Sequence, residues 1–468
     1  MAIDRNGFLI TDDGKKIVGV RNPDNTDFYF QDQPPKTRTT PLASNQTLIN
    51  WNETSSYTPA LSANAGETSV VDKTVLYDGY PTLRLTFATA GATLVNVYNL
   101  AEPIYITDPT NIQIPILTNN STATAGVGIG GNDFQVWVGS GVANLRFSQL
   151  RQTEHSITDE WHVFNTIASG TSYNYGGNLG GSATNVNFLH DNAIASIYIV
   201  SVTAAAAATS RVWLGNITVG SRQKPVTCIT LDGEYSSQWT MARQILNKYG
   251  LKASFAVQTG VIGNAGRMTN AQLDTLYGEG HEIIHHSANP KTSVGYGLAS
   301  DWATSESIAN DVKTTQAYFR NRGWIRGLGC GVHGYSDPLA AFQTPTRQNL
   351  VVKGLKDGGM RAMRRIINGD YYVPLGGHKS SPLSIPAGIF MDATSTAASI
   401  NANINTAILH GAGSIITGHE FVTQSTTPTG NQIRINDFEG VCANIRTKID
   451  NKTLDHLLFS ELANKYYL

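Results

Sequence analysis

Residues 225–257 read PVTCITLDGEYSSQWTMARQILNKYGLKASFAV, and this stretch decides the fold class of the second half of the chain. The apolar run 226–231 predicts a buried strand. Apolar side chains at helical spacing predict a helix over 237–249, which ends at Gly250. Another apolar strand is predicted over 253–257. A strand, a helix and a further strand predict a mainly parallel α/β domain, whose chemistry lies at the carboxyl ends of its strands.

The alternation of strands and helices continues beyond this stretch. Residues 269–277 have helical spacing with Thr269 as a candidate cap, and residues 281–284 form the next predicted strand. We therefore expect an α/β domain over residues 223–468, either open or barrel-shaped.

The first half of the chain has a different pattern. Between residues 41 and 222, short segments such as 83–87 and 134–138 alternate apolar and polar residues and are separated by Gly, Asn, Asp and Thr. A period of two residues predicts an antiparallel β-sandwich, and the lack of clustered titratable residues predicts that it holds no catalytic centre. Residues 1–40 are rich in turn signals and predict a strand-turn element and a linker. The predicted parts are therefore 1–40, 41–222 and 223–468.

The composition argues against two classes of partner. Charged residues make up 15% of the 468 residues, below the roughly 25% typical of soluble proteins. A net charge of −1 favours neither nucleic acid nor an anionic membrane surface. No apolar run approaches the ~20 residues of a membrane span, and the N-terminus lacks the apolar core of a secretory signal. Three distant cysteines imply no disulfide framework, which is typical of synthesis in a reducing cytosol.

The first predicted strand of the α/β domain is followed by Asp232-Gly233-Glu234. Two carboxylates directly after a buried strand are suited to holding a metal ion or to acting as a base. An Asp-Gly turn with a solvated Glu gives the same pattern, so this motif alone does not decide between the two interpretations.

The third strand leads into HEIIHHSANP at 281–290, where three of the chain's 11 histidines fall within six residues. Imidazole and carboxylate groups are the usual zinc ligands, and zinc with an open coordination position activates a water molecule. One core histidine and two exposed ones are the alternative.

Residues 281–285 also match the H-E-x-x-H pattern of zinc peptidases, which needs a helix so that both histidines share one face. The neighbouring glycines and the pair Ile283-Ile284 favour a strand instead. In a strand, residues four apart lie about 13 Å from each other and do not bind one zinc ion.

Three later segments supply further candidates, each with an ordinary structural alternative. They are VHGYSDP at 332–338, the basic RAMRR at 361–365, and SIITGHE at 414–420. His419 follows an apolar strand, as a catalytic acid would. A turn, a solvated basic face and a strand-end histidine are the respective alternatives.

Taken in order, these motifs resemble the polysaccharide deacetylases of the NodB type, which form carbohydrate esterase family 4. Residues 225–257 are similar to the family's opening strand, its T-F-D-D-G and the helix that follows. The segment MTNAQLDTLYGEGHEIIHHSANP at 268–290 is similar to M-T-W-x-Q-L…G-H-E-I-x-x-H-T-x-x-H-P. VHGYSDP stands at the place of a Pro-Tyr-Gly loop, and SIITGHE resembles the late strand that ends in a catalytic histidine.

The resemblance implies a distorted (β/α) barrel and metal-dependent hydrolysis of N- or O-acetyl groups, with zinc or another divalent metal as the cofactor. It implies Asp232 as the base and His419 as the acid that protonates the leaving group. Arg364 matches the arginine that orients the catalytic Asp. His333 and Tyr335 fall in the loop expected to bind substrate.

The chain departs from the family pattern at two of the three metal ligands. Gly233 stands at the place of the family's metal-binding Asp, and Glu234 is the nearest replacement because its longer side chain could reach back. The family's H-x-x-x-H pair is changed as well.

The histidine pair has two possible registers. With His285 in the first place, Asn289 takes the second, and this register keeps more of the family pattern. With His286 in the first place, Pro290 takes the second. The candidate metal ligands are therefore Glu234, His285, His286 and Asn289, with His333 as a spare donor.

A β-sandwich of this length joined to such a deacetylase resembles the tail spike or receptor-binding proteins of tailed bacteriophages. The resemblance implies an N-terminal segment attached to phage tail proteins, a homotrimer, and action outside the cell at the host surface after synthesis in the host cytoplasm.

The leading hypothesis is a metal-dependent deacetylase that acts on acetylated bacterial surface polysaccharide, either O-antigen or capsule. The second hypothesis is a protein that binds glycan through a catalytically inactive deacetylase scaffold, and the broken ligand pattern motivates it. A zinc peptidase is the third.

Overall fold

The computed structural model describes residues 223–288, 302–332, 345–366, 382–409 and 411–468, together with Val373, Leu375 and the strands and short adjoining turns between residues 2 and 219. Two compact units divide the chain, Met1–Thr40 and Pro41–Leu468. The division of the second unit near residue 222 stays a prediction.

The first unit contains a three-stranded antiparallel sheet. Its strands are β1 (Ala2–Ile3), β2 (Leu9–Ile10) and β3 (Lys16–Ile17). This is the strand-turn element expected from the turn signals in the sequence.

The described residues between 46 and 219 form antiparallel strands, as the period of two predicted. The strands are β4 (Gln46–Ile49), β5 (Thr68–Tyr77), β6 (Tyr80–Phe87), β7 (Thr93–Ile104), β8 (Ile112–Thr118), β9 (Phe134–Gly139), β10 (Leu145–Gln149), β11 (His162–Asn165), β12 (Ile194–Val202), β13 (Ser210–Leu214) and β14 (Ile217–Val219).

These strands belong to two sheets. One has the order β10-β9-β12-β7, and the other has the order β4-β14-β8-β13-β6-β5, with β11 beside β8. Alternation is visible on β6, where Leu83 and Leu85 are buried and Arg84 between them pairs with Asp72. That the two sheets pack face to face as a sandwich stays a prediction.

The C-terminal part is built on a nine-stranded sheet with parallel pairing throughout. Its strands are β15 (Val226–Asp232), β16 (Ser254–Val257), β17 (Glu282–His285), β18 (Cys330–Val332), β19 (Ala362–Ile366), β20 (Ile385–Ala387), β21 (Ile389–Phe390), β22 (Gly413–Gly418) and β25 (Asp455–His456). A separate parallel pair consists of β23 (Glu420–Val422) and β24 (Gln432–Arg434).

The nine-stranded sheet is curled, and its two edge strands follow each other directly in the chain. The order is β20-β19-β18-β17-β16-β15-β22-β21, and β25 pairs with the first two residues of β15, Val226 and Thr227. The edge strands β20 and β21 are consecutive in sequence and separated by Gly388 alone. This geometry confirms the predicted parallel β/α arrangement and gives the sheet an inner and an outer face.

Helices connect the strands, and most of them cover the outer face. They are α1 (Arg243–Lys248), which continues a π-helical turn at Gln238–Ala242, then α2 (Asn270–Gly278), α3 (Ser305–Arg322), α4 (Pro345–Gly358), α5 (Ala397–Leu409), α6 (Ile435–Asp450) and α7 (Phe459–Tyr466). Two short 3₁₀ turns lie at Thr259–Val261 and Pro382–Ser384.

The predicted helix boundaries are confirmed at two places. Thr269 forms a capping box with Gln272, which satisfies free backbone groups at the start of α2. Gly250 follows α1 with a φ of +63°, a left-handed conformation that glycine adopts without strain. Among the described helices, none has the length and apolar character needed to cross a membrane.

Alternate residues of each strand fill two different cores. Odd positions of β15 such as Ile229 and Leu231 pack with the surrounding helices, whereas even positions such as Val226 and Cys228 pack on the inner face. Helix α7 contributes to the inner core, with Phe459 fully buried there. The inner face is therefore apolar at the start of the strands, and its polar side chains come later along them.

The buried carboxylate of Glu282 attaches α7 to this inner core. Its Oε1 accepts hydrogen bonds from Ser254 Oγ at 2.5 Å and from the Ser460 backbone N–H at 3.0 Å, and its Oε2 accepts from Ser460 Oγ at 2.5 Å. Burial raises the pKa of Glu282 above its ordinary value, although these hydrogen bonds oppose the rise. Neutral Glu282 is therefore the form that the fold prefers.

We expect Glu282→Gln to leave the fold intact and to flatten its pH dependence. Because the pKa of Glu282 is raised by folding, its stabilising contribution is complete below the ordinary value near 4.5 and is lost as the pH rises through the raised value. Glutamine keeps an acceptor and a donor for Ser460 and cannot ionise. Urea unfolding between pH 4.5 and 8 measures the difference.

Glu282→Leu is the matched comparison, since it removes the hydrogen-bonding groups and keeps the side chain apolar and of similar size. It removes the acceptor of the Ser254 and Ser460 hydroxyls in the core, at a cost of about 1–3 kcal/mol for each buried group. Ser254 Oγ still accepts from the Phe459 backbone N–H. Equal stability of the glutamine and leucine variants would contradict this account of α7.

Candidate active site

The polar end of the inner face gathers residues from three strands. Continuing the alternation of β15, Thr230 and Asp232 follow Cys228 on the inner face. Arg364 is the third residue of β19, and Thr417 lies near the end of β22. All of these side chains are buried. The carboxyl ends of the strands thus bring together residues that are up to 187 positions apart in the sequence.

Asp232 and Arg364 form a buried ion pair across the inner space. The guanidinium of Arg364 donates through Nη2 to Asp232 Oδ2 and through Nη1 to Thr417 Oγ1, and the Asp and Arg side chains are 1% and 0% exposed. Burial acts to raise the pKa of Asp232, but the charge and hydrogen bond of Arg364, together with the nearby His286 and His419, outweigh it and hold this pKa below its usual value. Asp232 is therefore an oriented carboxylate at neutral pH, and its role as the base stays a prediction.

His419 lies beside this carboxylate. Its Nε2 is 3.9 Å from Asp232 Oδ2. The side-chain Nε2 of Gln238 donates to the backbone oxygens of both Asp232 and His419, at 2.8 Å each, and so fixes the two strand ends relative to each other. Burial lowers the pKa of His419, so its imidazole is neutral at pH 7.

The two adjacent histidines of β17 and its end point to different faces. His286 follows the inner positions Glu282 and Ile284 and is buried. Burial lowers the pKa of His286 to about 4. Strand alternation therefore puts His286 on the same inner face as Asp232, and the choice between the two registers stays a prediction.

His285 lies on the other face of the strand. Its Nε2 is 3.9 Å from Asp311 Oδ2 on α3 and accepts a hydrogen bond from the Ser287 backbone N–H at 3.3 Å. Asp311 in turn accepts from the Ala288 backbone N–H through both oxygens, at 3.0 Å each. The position of His285 is that of a residue that supports the loop after β17, and the expectation that it binds metal gains no support.

Glu234 does not reach back toward the histidines as the sequence suggested. Its backbone has a φ of 39°, and its Oε2 accepts a hydrogen bond from the Gln258 backbone N–H at 2.7 Å. Its Oε1 is 3.3 Å from Arg267 Nη1. Burial raises the pKa of Glu234 to about 7. The carboxylate is held at the end of β16.

The described residues do not fit the metal site that the resemblance implied. No group of three His, Cys, Asp or Glu side chains in the described part of the chain is arranged to hold a metal ion. Gly233 offers no donor side chain, and Pro290, which takes the second histidine's place in the register of His286, offers none either. Asn289, His333 and Tyr335 lie outside the described residues, so their expected roles stay predictions.

The zinc-peptidase interpretation of residues 281–285 is wrong. Glu282–His285 is a strand, so the helical face on which that chemistry depends is missing. His281 is fully buried, and its Nδ1 accepts a hydrogen bond from the Ala253 backbone N–H at 3.0 Å. Glu282, the Glu of the motif, accepts hydrogen bonds from Ser460 of α7.

Four polar atoms of the site are buried without a hydrogen-bond partner among the described residues. They are Asp232 Oδ1, His286 Nδ1, Arg364 Nε and His419 Nδ1. Buried polar groups in native proteins are nearly always paired with protein or with ordered water. Water or a bound substrate is therefore the partner that this cluster is built to receive.

Sequence reasoning missed two residues that shape the site, Gln238 and Arg267. Gln238 carries no motif and acquires its role only when the turn after β15 meets the end of β22. Arg267 lies in a turn whose spacing gives no sign that its side chain approaches Gly233, with Nη1 donating to the Gly233 carbonyl.

The family model for polysaccharide deacetylase matches residues 220–349. This match covers β15 to the start of α4 and includes Asp232 and His286. The match supports a polysaccharide deacetylase domain over these residues. The domain is that of a carbohydrate esterase, a class of hydrolase, and the match supports a deacetylase function.

Several solved structures are similar to part of the chain. The Xyl-CE4 domain of a multidomain xylanase from the hindgut metagenome of Trinervitermes trinervoides is 15% identical, with 52% of this chain and 91% of that chain covered and a TM-score of 0.31. A family 4 acetyl xylan esterase from Clostridium thermocellum, in complex with a cobalt ion, is 16% identical, with 51% and 90% covered and a TM-score of 0.31.

A family 4 pseudoenzyme from Bacillus anthracis is 15% identical, with 53% of this chain and 69% of that chain covered and a TM-score of 0.33. No curated protein sequence matches the chain. The domain assignment rests on the family match alone.

We expect Arg364→Met to destabilise the protein by about 3–5 kcal/mol, because it leaves the Asp232 carboxylate buried without its partner. The double variant Asp232→Leu/Arg364→Met removes both charges and should recover most of that loss. Arg361→Met is the control, since Arg361 bonds Asn464 at the surface and its loss should cost at most about 1 kcal/mol. Urea unfolding compares the variants, and equal stabilities of Arg364→Met and Arg361→Met would refute the role of the ion pair.

Proposed function

We propose that the protein is a deacetylase that removes acetyl groups from acetylated bacterial surface polysaccharide, either O-antigen or capsule. The observation that carries the proposal is the Asp232 carboxylate, fixed by Arg364 and with His419 Nε2 at 3.9 Å, in a domain of the deacetylase type. A base and a proton carrier held side by side at the strand ends are what ester or amide hydrolysis requires.

The reaction places the proton of the attacking water on Asp232. The water oxygen bonds to the acetyl carbon, and the proton passes from Asp232 to His419, whose imidazole is neutral and has a free site for it. The bond between the acetyl carbon and the sugar oxygen or nitrogen then breaks, and His419 protonates the departing atom. The products are the free hydroxyl or amine and acetic acid, which releases the second proton of the water to solvent and leaves as acetate.

The ion pair between Asp232 and Arg364 explains why two residues, Asp232 and His419, share the proton transfer. Arg364 holds the pKa of Asp232 low, so the protonated carboxyl is a strong acid and releases its proton readily. His419 is the nearest basic group that can accept it. Asp232 therefore orients and deprotonates the water, and His419 stores the proton for the leaving group.

A zinc-dependent form of the same reaction is the second candidate. His286 favours it, since a buried neutral imidazole beside Asp232 is a normal zinc ligand. Further donors would have to come from residues such as Asn289 or His333, and neutral histidine must bind, so metal content should fall on acidification.

A binding protein without catalysis is a candidate of another class. Gly233 and Pro290 favour it because they replace two metal-ligating residues of the family. The protein would then grip acetylated glycan through the same cleft without hydrolysing it. Acetate release by the unaltered protein separates this candidate from the first two.

The proposed setting is the tail of a bacteriophage, where the chain would serve as a spike that acts at the host surface. The low charge and the antiparallel sheets before the deacetylase domain support the proposal. The N-terminal unit would attach to tail proteins, and three copies would assemble. A stable monomer in sedimentation at micromolar concentration would argue against the trimer.

We expect Asp232→Asn and His419→Asn each to lower kcat for acetate release by about 10²–10⁴-fold, the usual contribution of a general acid or base. Asparagine keeps the size of Asp232 but does not accept the proton. Asp274→Asn is the control, since Asp274 forms a surface pair with Arg322. Acetate is assayed on acetylated host polysaccharide, and binding to whole host cells should persist in all variants.

Full activity of both site variants would contradict the mechanism. Cell binding without acetate release from the unaltered protein would favour the binding-protein candidate.

A further inference from the structure

Arg267 occupies the space toward which a side chain at position 233 would project. Gly233 has a φ of +88°, and an added Cβ would lie 2.8 Å from the Tyr235 ring and 3.1 Å from Arg267 Nη1. By the resemblance, position 233 is where the family carries a carboxylate that binds its metal. In this chain the same place meets a guanidinium, which is already a cation.

The guanidinium of Arg267 is firmly positioned. Its Nη1 donates to the Gly233 carbonyl oxygen and lies 3.3 Å from Glu234 Oε1. Its plane stacks on the Tyr235 ring, with 4.1 Å from the guanidinium carbon to the ring centroid. A backbone bridge between Tyr235 and Arg267 fixes the main chain on both sides.

These contacts leave part of the guanidinium available. Nη1 is the nitrogen that makes the two hydrogen bonds, while Nε and Nη2 make none with the described residues. The side chain is 24% exposed, so these N–H groups can meet a bound molecule. Arginine N–H groups form a planar fork that suits an oxygen carrying negative charge.

Arg267 lies beside the turn that carries Asp232. Gly233, whose carbonyl oxygen accepts from Arg267 Nη1, directly follows Asp232 in the chain. A Cβ at position 233 would lie 3.1 Å from the same nitrogen. Arg267 therefore borders the strand end where the Asp232 carboxylate lies.

We propose that Arg267 binds and polarises the acetyl carbonyl oxygen, the task that the resemblance assigns to a metal ion, so that hydrolysis at this site needs no divalent cation. The inference rests on the proposed function. As water attacks, the electron pair of the carbonyl bond moves to the oxygen, which the free N–H groups of Arg267 stabilise. When the oxyanion collapses, the bond to the sugar oxygen or nitrogen breaks and acetate leaves.

Glu234 keeps this arginine in place without neutralising its free side. One carboxylate oxygen is taken by the Gln258 N–H at 2.7 Å, and the other contacts Nη1 alone. The replacement of an Asp by Gly233 and the presence of Glu234 one residue later then have one explanation. The glycine makes room for the guanidinium, and the glutamate anchors it.

The test measures acetate release together with metal content. We expect the unaltered protein to keep its kcat within about twofold after chelation with EDTA. Arg267→Met should lower kcat by about 10²–10³-fold, as the loss of one oxyanion donor does, with little change in KM. Arg267→Lys keeps the charge and should retain part of the activity. Added guanidinium ion at low millimolar concentration should restore activity to Arg267→Ala.

Arg243 supplies a matched control. It stacks on Trp239 at 4.2 Å and pairs with Glu279, so it reproduces the aromatic and carboxylate contacts of Arg267 away from the site. Arg243→Met should leave kcat unchanged, and Arg243→Ala should show no response to guanidinium. If Arg267→Met does not fold, as judged by circular dichroism, the lysine and alanine variants carry the same comparison.

The failures of the two proposals are distinguishable. Loss of activity on chelation with recovery on adding zinc, or unchanged kcat in Arg267→Met, overturns the role of Arg267 while Asp232→Asn still abolishes activity. Absence of acetate release from the unaltered protein overturns both the proposed function and this inference.

Discussion

The buried pair between Asp232 and Arg364 is the interaction on which the rest of the site depends. Removing two charged groups from water costs several kcal/mol each, and only close pairing with further hydrogen bonds offsets that cost. Arg364 meets the requirement by contacting both Asp232 and Thr417, and Thr417 Oγ1 lies 3.2 Å from Thr230 Oγ1. The pair therefore holds β15, β19 and β22 in a fixed relation at their carboxyl ends.

This pair also explains why the inner face changes character along the strands. Near the strand starts, Val226 and Cys228 pack with α7, and the single carboxylate there, Glu282, is hydrogen-bonded on both oxygens. Near the strand ends lie the charged pair of Asp232 and Arg364 and several polar atoms without a partner among the described residues. The inner face is therefore apolar and closed by α7 at the strand starts, and its reactive groups are confined to the strand ends.

Much of this arrangement is encoded locally and was predictable. The apolar runs gave the strands, and Thr269 marked the start of α2. Asp232 and His419 stood out because each follows an apolar run. Strand alternation even contained the choice between the two histidines, since His286 shares its parity with Glu282 and not with His285. The family pattern favours His285 and strand alternation puts His286 on the inner face, so which of the two is a ligand stays a prediction.

The remainder of the site was beyond reach of the sequence because its contacts join distant segments. Gln238 spans 181 positions to reach the carbonyl of His419. Arg267 contributes to the site only because a turn brings its side chain to Gly233, 34 residues earlier. No local sequence pattern predicts contacts between residues this far apart. The absent donors at 233 and 290 were visible in the sequence, but the group that fills the first of these places was not.

The two guanidiniums of the site have opposite consequences for the chemistry. Arg364 lies directly on the carboxylate, lowers its basicity and so makes Asp232 a positioner of water more than a store for its proton. Arg267 bonds the carbonyl of Gly233, the next residue, and contacts neither oxygen of Asp232 in the described hydrogen bonds, so in the mechanism that we propose it acts on the acetyl group and leaves the carboxylate alone. A carbonyl polarised by one cation needs a weaker base, because charge that develops on its oxygen is already stabilised. In the proposed mechanism the two features therefore belong together. Arg267 makes the acetyl carbonyl easier to attack, and this compensates for the low basicity of Asp232.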